Sequence, residues 1–477
     1  MKKSMMALLI CVVFVFATAA ASFAAMGEGT VKANKGVDIT LFGSNRVIPT
    51  YMKNLTDLDS DNHDPLTLTE GGWGAGFFVR NEFRMGWKGV GQDGKWGFKF
   101  ILENDIHMTK ANGDRNDYGN SDDPFGSEFS VERQTFWYKF GNVRFSAGTD
   151  IQFLDIKTGG LVYGDDHPFL ALDGGDKTLN WKLFMLLIED SDDLGKSYRD
   201  NDWYAYCAKL NYTFCSGDNG KFTLTPFLAL SDMRKAAQGF GNSHAYYYGL
   251  GGHGSFGMIK PAFELVGVTG DITNADTDGS DIDIQSYAAF GSITLALSPE
   301  FNPYIGFYWA QGDDDPNDGD ADGFVGITNI TRYTPTFGME GGIMYEHLGR
   351  FGAPLYGLVP ERAGASKRYI YGGIGGGGNG ENPGLQYYGI GSKGKFGNGN
   401  SYKVQVAYMM YDEEDALGLD DDEIGWVLDA QVKHAFSKNF YTTYTFSCLN
   451  PGDGMEEAFG GNDDLAINTN IELGWKW

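Results

Sequence analysis

Apolar and polar residues alternate one by one along most of this chain. From Val79 to Lys88 the odd positions are Val79, Asn81, Phe83, Met85 and Trp87, and the even ones are Arg80, Glu82, Arg84, Gly86 and Lys88. A period of two marks a strand with one apolar and one polar face. Trp96, Phe98, Phe100 and Leu102 likewise oppose Lys99, Glu103 and Asp105. Tyr204, Tyr206, Leu210, Tyr212 and Phe214 oppose Lys209, Asn211 and Thr213. Tyr402, Val404, Val406, Tyr408 and Met410 oppose Lys403 and Gln405, and Ile467, Ile471, Leu473, Trp475 and Trp477 oppose Asn468, Asn470, Glu472 and Lys476.

Compact turn chemistry joins many of these segments in pairs: Gln92-Asp93-Gly94, Gly141-Asn142, Ser216 to Gly220, Ser298-Pro299, Gly397 to Asn400, and Ser437-Lys438-Asn439. Between the pairs run long polar loops at 53–72, 110–127, 190–201, 313–335 and 450–464. Short turns at one end and long loops at the other are the asymmetry of outer-membrane barrels. Counting segments predicts about 18 strands, within a range of 16 to 20. The stretches 153–176 and 349–383 are the two that the pattern does not assign; the second is rich in Gly and punctuated by Pro.

A soluble β-propeller or sandwich could use the same alternation. Composition favours the membrane. Aromatics make up 15% of the chain and there are 69 Gly, yet hardly any long apolar run exists. A transmembrane strand needs apolar residues on one face only. Trp87, Trp96, Tyr138, Trp181, Trp203, Trp309, Trp426, Trp475 and Trp477 lie near segment ends, as interfacial girdles do. The fold class expected is all-β, an antiparallel transmembrane barrel forming a single domain over 25–477.

The one long apolar run opens the chain. Lys2 and Lys3 precede an apolar stretch from Met5 to Phe16, and Ser22-Phe23-Ala24 is a small-x-small cleavage site. This predicts a cleaved signal peptide over 1–24, with cleavage after Ala21 as the alternative. No other stretch approaches the ~18 apolar residues of a membrane helix. Cys11 leaves with the peptide. Cys207 and Cys215 would sit about 26 Å apart along one strand and cannot pair. With Cys448 they read as ordinary strand residues, a Cys448 bridge being the alternative. A net charge of −26 argues against nucleic acid. The acid gathers in Asp57 to Asp64, Asp313 to Asp322, Asp412 to Asp415 and Asp420 to Glu423, as in solvated loops.

An export signal, amphipathic strands throughout and a last strand ending in an aromatic resemble Gram-negative porins of the general-diffusion type. Leu473, Trp475 and Trp477 look like the C-terminal assembly signal of such barrels, closing on Trp where Phe is usual. The resemblance implies a water-filled barrel in the outer membrane, in contact with lipid and lipopolysaccharide, folded by the barrel-assembly machinery and often a homotrimer. It also implies a loop folded inward to narrow the lumen. The candidate is Leu154 to Gly175, which carries Asp155, Lys157, Asp165, Asp166 and His167.

Pores select by radius and by rings of charge. The polar phase puts Arg80, Arg84 and Lys88 in one column, with Lys99 and Arg144 on following strands, a basic wall faced by Asp165 and Asp166. Asp318-x-Asp320-x-Asp322-Gly323 has the opening of a calcium loop but Asn329 at the closing position, so Ca2+ is a candidate ligand there. Gly249-x-Gly251-x-x-Gly254 matches a dinucleotide fingerprint by letters but lies within a strand followed by a strand. No spacing assembles a catalytic triad, so no enzyme is expected. The function expected is passive diffusion of small hydrophilic solutes. The alternatives are export of an acidic polysaccharide, the sheath of an electron-transfer conduit, or a non-conducting adhesin.

Overall fold

Each alternating segment forms a strand, because period-two residues can bury one face only on pleated backbone. The computed structural model describes residues 30–33, 36–54, 76–107, 130–189, 202–215, 220–234, 242–273, 281–315, 320–329, 336–343 and 382–477. The expected signal peptide lies outside them, as do the turn 216–219, most of 349–383, and Asp318.

The strands are β1 (Thr30–Ala33), β2 (Val37–Lys53), β3 (Gly76–Gly91), β4 (Trp96–His107), β5 (Ser130–Phe140), β6 (Val143–Phe153) and β7 (Tyr163–Gly175). There follow β8 (Leu179–Glu189), β9 (Trp203–Cys215), β10 (Gly220–Met233), β11 (Ser243–Phe256), β12 (Ile259–Ile272), β13 (Ile282–Leu295) and β14 (Asn302–Ala310). The last are β15 (Asp320–Ala321), β16 (Thr328–Asn329), β17 (Leu385–Phe396), β18 (Asn400–Met410), β19 (Glu423–Ala435), β20 (Phe440–Pro451) and β21 (Ala466–Lys476).

From β2 to β14 each strand pairs antiparallel with the next, β14 pairs with β17, and the order resumes to β21. β21 returns to β2, with Ser44 opposite Lys476 and Lys53 opposite Ile467. The sheet therefore closes as an antiparallel barrel of 18 strands, and closure removes the unpaired edges that lipid could not satisfy. β1 folds back on the start of β2. β15 and β16 are two-residue strands lying parallel to β13 and β7.

Closure fixes which phase meets lipid. Leu228 is 60% exposed and Ile390 61%, and Phe136, Leu170, Leu183, Leu265 and Ile305 are exposed with them. All stand on the apolar phase, so the outer surface is an apolar band. Among the described residues no helix is long and apolar enough to cross a membrane; the strands do the crossing. Trp96, Tyr138 and Trp426 are exposed at strand ends, as the girdle requires. Trp203 differs. It occupies the inward phase of β9, is 2% exposed, and donates from Nε1 to Ser231 Oγ at 2.8 Å.

The short turns all fall at one end. Gly94 and Gly141 have φ of +64° and +61°, left-handed values that suit residues without a Cβ. The chain end lies at the same rim. Trp477 exchanges backbone hydrogen bonds with Gly43 at 2.9 and 3.0 Å and packs on Phe83, and Trp475 packs on Phe440. The segment read as an assembly signal thus forms the seam of the barrel. Cys207 is buried on β9 and Cys448 lies on β20, both free.

Candidate functional site: the lumen

Among the described residues two loops turn into the barrel. The first is Leu154 to Val162, between β6 and β7. The inward loop expected over 154–175 ends at Val162, because Tyr163–Gly175 is itself β7, paired on both sides. Two carboxylates hold the turn. Asp155 accepts the N–H of Val162 at 2.6 Å and of Tyr163 at 3.3 Å. Glu264 of β12, fully buried, accepts from Thr158 Oγ1 at 2.5 Å and from the N–H groups of Gly159, Gly160 and Leu161 at 2.6, 3.1 and 3.2 Å. Lys209 Nζ donates to the carbonyl of Leu154 at 3.0 Å. A Cβ at Gly251 would come within 2.8 Å of Thr158. That close approach requires a residue without a Cβ at this position.

The second is the connection from β14 to β17. The pattern places 313–335 among the outer loops, and 313–315 does stay at the rim, but 320–329 runs inside the barrel. Phe324, Val325 and Ile327 are fully buried. Tyr247 donates to the carbonyl of Val325 at 3.0 Å, and Ser286 to that of Asp322 at 2.5 Å. Phe337 is seated over Gly306 and Gly389, where a Cβ would come within 3.1 and 2.5 Å of its ring. Tyr304, Tyr308 and Tyr387 rim it, with centroids 5.7, 6.0 and 4.8 Å away. Beyond it, the carbonyl of Gly341 accepts from Asn468 at 3.1 Å, and the N–H of Ile343 donates to Ser447 Oγ at 2.8 Å. The signal for this burial was the apolar run Phe324 to Ile327 inside an otherwise acidic loop.

The wall from β2 to β7 is charged. Arg46 Nε donates to Glu82 at 2.8 Å, and its Nη1 to Glu340 of the inward loop at 2.6 Å, with Glu472 3.8 Å away. Glu82 is fully buried and also meets Arg84 at 2.6 Å and Arg80 at 3.4 Å. Arg84 continues to Glu103 at 2.7 Å and Glu132 at 2.8 Å. Arg133 reaches Glu132 at 2.8 Å and Asp166 at 3.6 Å. Lys99 donates to Asp150 at 2.6 Å, and Arg144 pairs with Asp173 at 2.8 Å. The side chains of Arg80, Arg84 and Lys99 stay 24–31% exposed, in contact with solvent inside the barrel.

The column Arg80, Arg84, Lys88 with Lys99 and Arg144 is present on the inner phase, but carboxylates interleave it. The result is a ladder of alternating sign instead of a uniformly basic wall. Glu82 and Glu103 stand on the polar phase of the one-dimensional pattern, and two causes hid the rest. A bulge sets Ile101 opposite Arg133 and Leu102 opposite Val131, which leaves Glu132 as an extra residue beside Arg133. Glu340 arrives from a loop 294 residues away. Asp165 accepts from Thr328 of the second inward loop at 2.9 Å, and Asp166 lies 3.6 Å from Arg133. Of the calcium motif, Asp320 pairs in β15 with Asp283, and the N–H of Asp322 donates to Asp313. Among the described residues no three His, Cys, Asp or Glu side chains gather as a metal site.

No family model and no curated protein matches the sequence. Solved structures do match. Against Pseudomonas aeruginosa OccK8 (OprE) the TM-score is 0.54 at 13% identity, covering 92% of this chain and 98% of that one. Acinetobacter baumannii OccAB2 gives 0.53 at 10% identity with the same coverage, and Pseudomonas aeruginosa OpdQ gives 0.51 at 10%, covering 92% and 97%. This is the outer-membrane porin fold. At such identities the likeness fixes the barrel and leaves its chemistry to the residues above. The porin fold and the apolar band together place the chain in an outer membrane, in contact with lipid.

Proposed function

We propose that this protein is a passive outer-membrane channel with a narrow, charge-selective lumen. The single observation behind the reading is the solvent-contacting ion-pair ladder from Arg46 to Asp150 facing a lumen partly filled by 324–328 and 336–343. Each guanidinium sits beside a carboxylate. A small solute carrying both a cationic and an anionic group can exchange partners along such a ladder at little desolvation cost, whereas an apolar or bulky one cannot. The process needs neither an energy source nor a catalytic group.

Planar-bilayer recording of the purified protein tests the pore, and liposome permeation tests the selection. Stable open steps are expected, with zwitterionic amino acids crossing faster than neutral sugars of equal mass. Absence of steps would remove the channel reading. Equal permeation rates would leave a channel but make it a general-diffusion one.

A further inference from the structure

The charge on the barrel reverses sign along its axis. On each of the 18 barrel strands, the four residues nearest the short turns can be set against the four nearest the long loops. The short-turn set holds twelve Lys or Arg and two carboxylates, Asp38 and Asp173. The long-loop set holds ten Asp or Glu and two cations, Lys53 and Arg133.

The twelve short-turn cations all occupy the inward phase of their strands, so they line the lumen and do not face lipid. Contacts between nearby strands agree with this. Lys393 and Lys403 lie 5.6 and 5.9 Å from the ring of Tyr304, which packs on the inward Phe337. Lys433 and Lys476 lie 3.7 and 5.2 Å from Tyr441.

The outer end is the opposite. Segments 311–315, 411–423 and 452–465 carry sixteen carboxylates and no Lys or Arg. They converge: the N–H of Gly312 donates to Asp412 at 2.9 Å, and that of Asp420 to Glu457 at 2.8 Å.

We propose that this arrangement makes the channel a rectifier, an acidic outer mouth in series with a basic inner lumen. The proposal rests on the channel reading above. A charged zone enriches its counter-ions, so the outer zone gathers cations and the inner zone anions. With the extracellular side positive, cations enter through the acidic zone and anions through the basic one, and both fill the lumen. With the polarity reversed each ion must enter through the zone that repels it, and the lumen empties of carriers. The centres of the two zones are about nine residues apart on average, roughly 20 Å along tilted strands, and they meet where Lys99 of one pairs with Asp150 of the other. The screening length is about 30 Å at 0.01 M salt and about 3 Å at 1 M, so the effect belongs to low salt.

Single pores inserted from one chamber should show currents of unequal size at opposite voltages in 0.01 M potassium chloride, by about twofold or more. The larger current should flow with the long-loop side positive. The inequality should vanish at 1 M. It should also shrink in the variant Lys260→Gln/Lys393→Gln/Lys395→Gln and, independently, in Asp420→Asn/Asp421→Asn/Asp422→Asn, which touches only the rim and leaves strand packing alone. Clear open steps with a straight current–voltage line at low salt would overturn the rectifier and keep the channel. An inequality of reversed polarity, or one that survives both variants, overturns it as well. A protein that folds and gives no steps overturns the channel reading itself.

Discussion

Glu82 shows how much a single buried charge decides in this barrel. It sits at 0% exposure on the lumen face and is neutralised by Arg46, Arg84 and Arg80. Removing one partner of a buried pair leaves an uncompensated charge, which costs about 3–5 kcal/mol. Arg46→Ala should fall near the low end, about 3 kcal/mol, because two arginines remain; urea unfolding of the protein folded into lipid vesicles measures it. A loss under 1 kcal/mol would mean that water reaches Glu82. On the other face the rule is the membrane's. Leu228 lies at the middle of β10 and is 60% exposed. Leu228→Arg should cost about 2–4 kcal/mol at the bilayer midplane, while Lys221→Arg on the lumen phase of the same strand should be near neutral. Comparable losses at the two positions would contradict the assigned phase.

At the scale of elements, the inward turn 154–162 hangs on one residue of another strand. Glu264 takes four hydrogen bonds from it. Glu264→Ala removes the acceptor and leaves buried donors unmet, at a cost of about 1–3 kcal/mol for each group left dry. The turn should then detach, seen as faster amide exchange at Gly159 to Leu161 and a larger single-channel conductance; unchanged exchange there would show the turn held by other contacts. The rim behaves differently because it is charged and wet. Burial, and then Asp412, Asp314, Glu414 and Asp415, push the Glu413 carboxyl above the ordinary range, and burial with Asp421 and Glu414 does the same to Asp422. A raised carboxyl contributes stability that is full below the unfolded value and is lost as pH rises through the folded one. Loop 411–422 should therefore loosen as pH climbs from the carboxylate range towards neutrality, with amide exchange, corrected for its intrinsic pH dependence, as the readout. Glu413→Gln should flatten that dependence, and a loop that tightens over the same range would show that the carboxyls are lowered by the fold instead of raised.

For the whole molecule, the space inside the barrel is narrowed by a connection that the strand pattern treats as exterior. Phe337 is gripped by three tyrosines and two glycine-floored positions, and Glu340 ties the loop to Arg46 of β2. Phe337→Ala should free the loop at a cost of about 3–5 kcal/mol of core packing and raise both the conductance and its fluctuations in planar bilayers. Steady steps of unchanged size would place the narrowest point elsewhere, at the turn held by Glu264.

Most of the strands, their approximate number and their inside and outside faces were legible in one dimension, because side-chain direction has a period of two and lipid demands an unbroken apolar band; β7 was not, since it lies in a stretch that the alternation left unassigned. Trp203 shows the limit of that rule: a large aromatic at a segment end suits a girdle, and only pairing with Ser231 across the inward phase shows that it points to the lumen. The cations of the lumen were legible for the same reason as the strands. Their partners were legible only in part: Glu82 and Glu103 share the polar phase, but Glu132 depends on a bulge and Glu340 on a distant loop. The inward turn at 154–162 was hidden likewise, since Glu264, which holds it, lies more than a hundred residues further along the chain. Alternation along a strand sets which way a residue points, but it carries no information about what meets it there. That is decided when the sheet closes, since closure brings distant strands and their loops into one enclosed space where every buried charge must find its counter-charge.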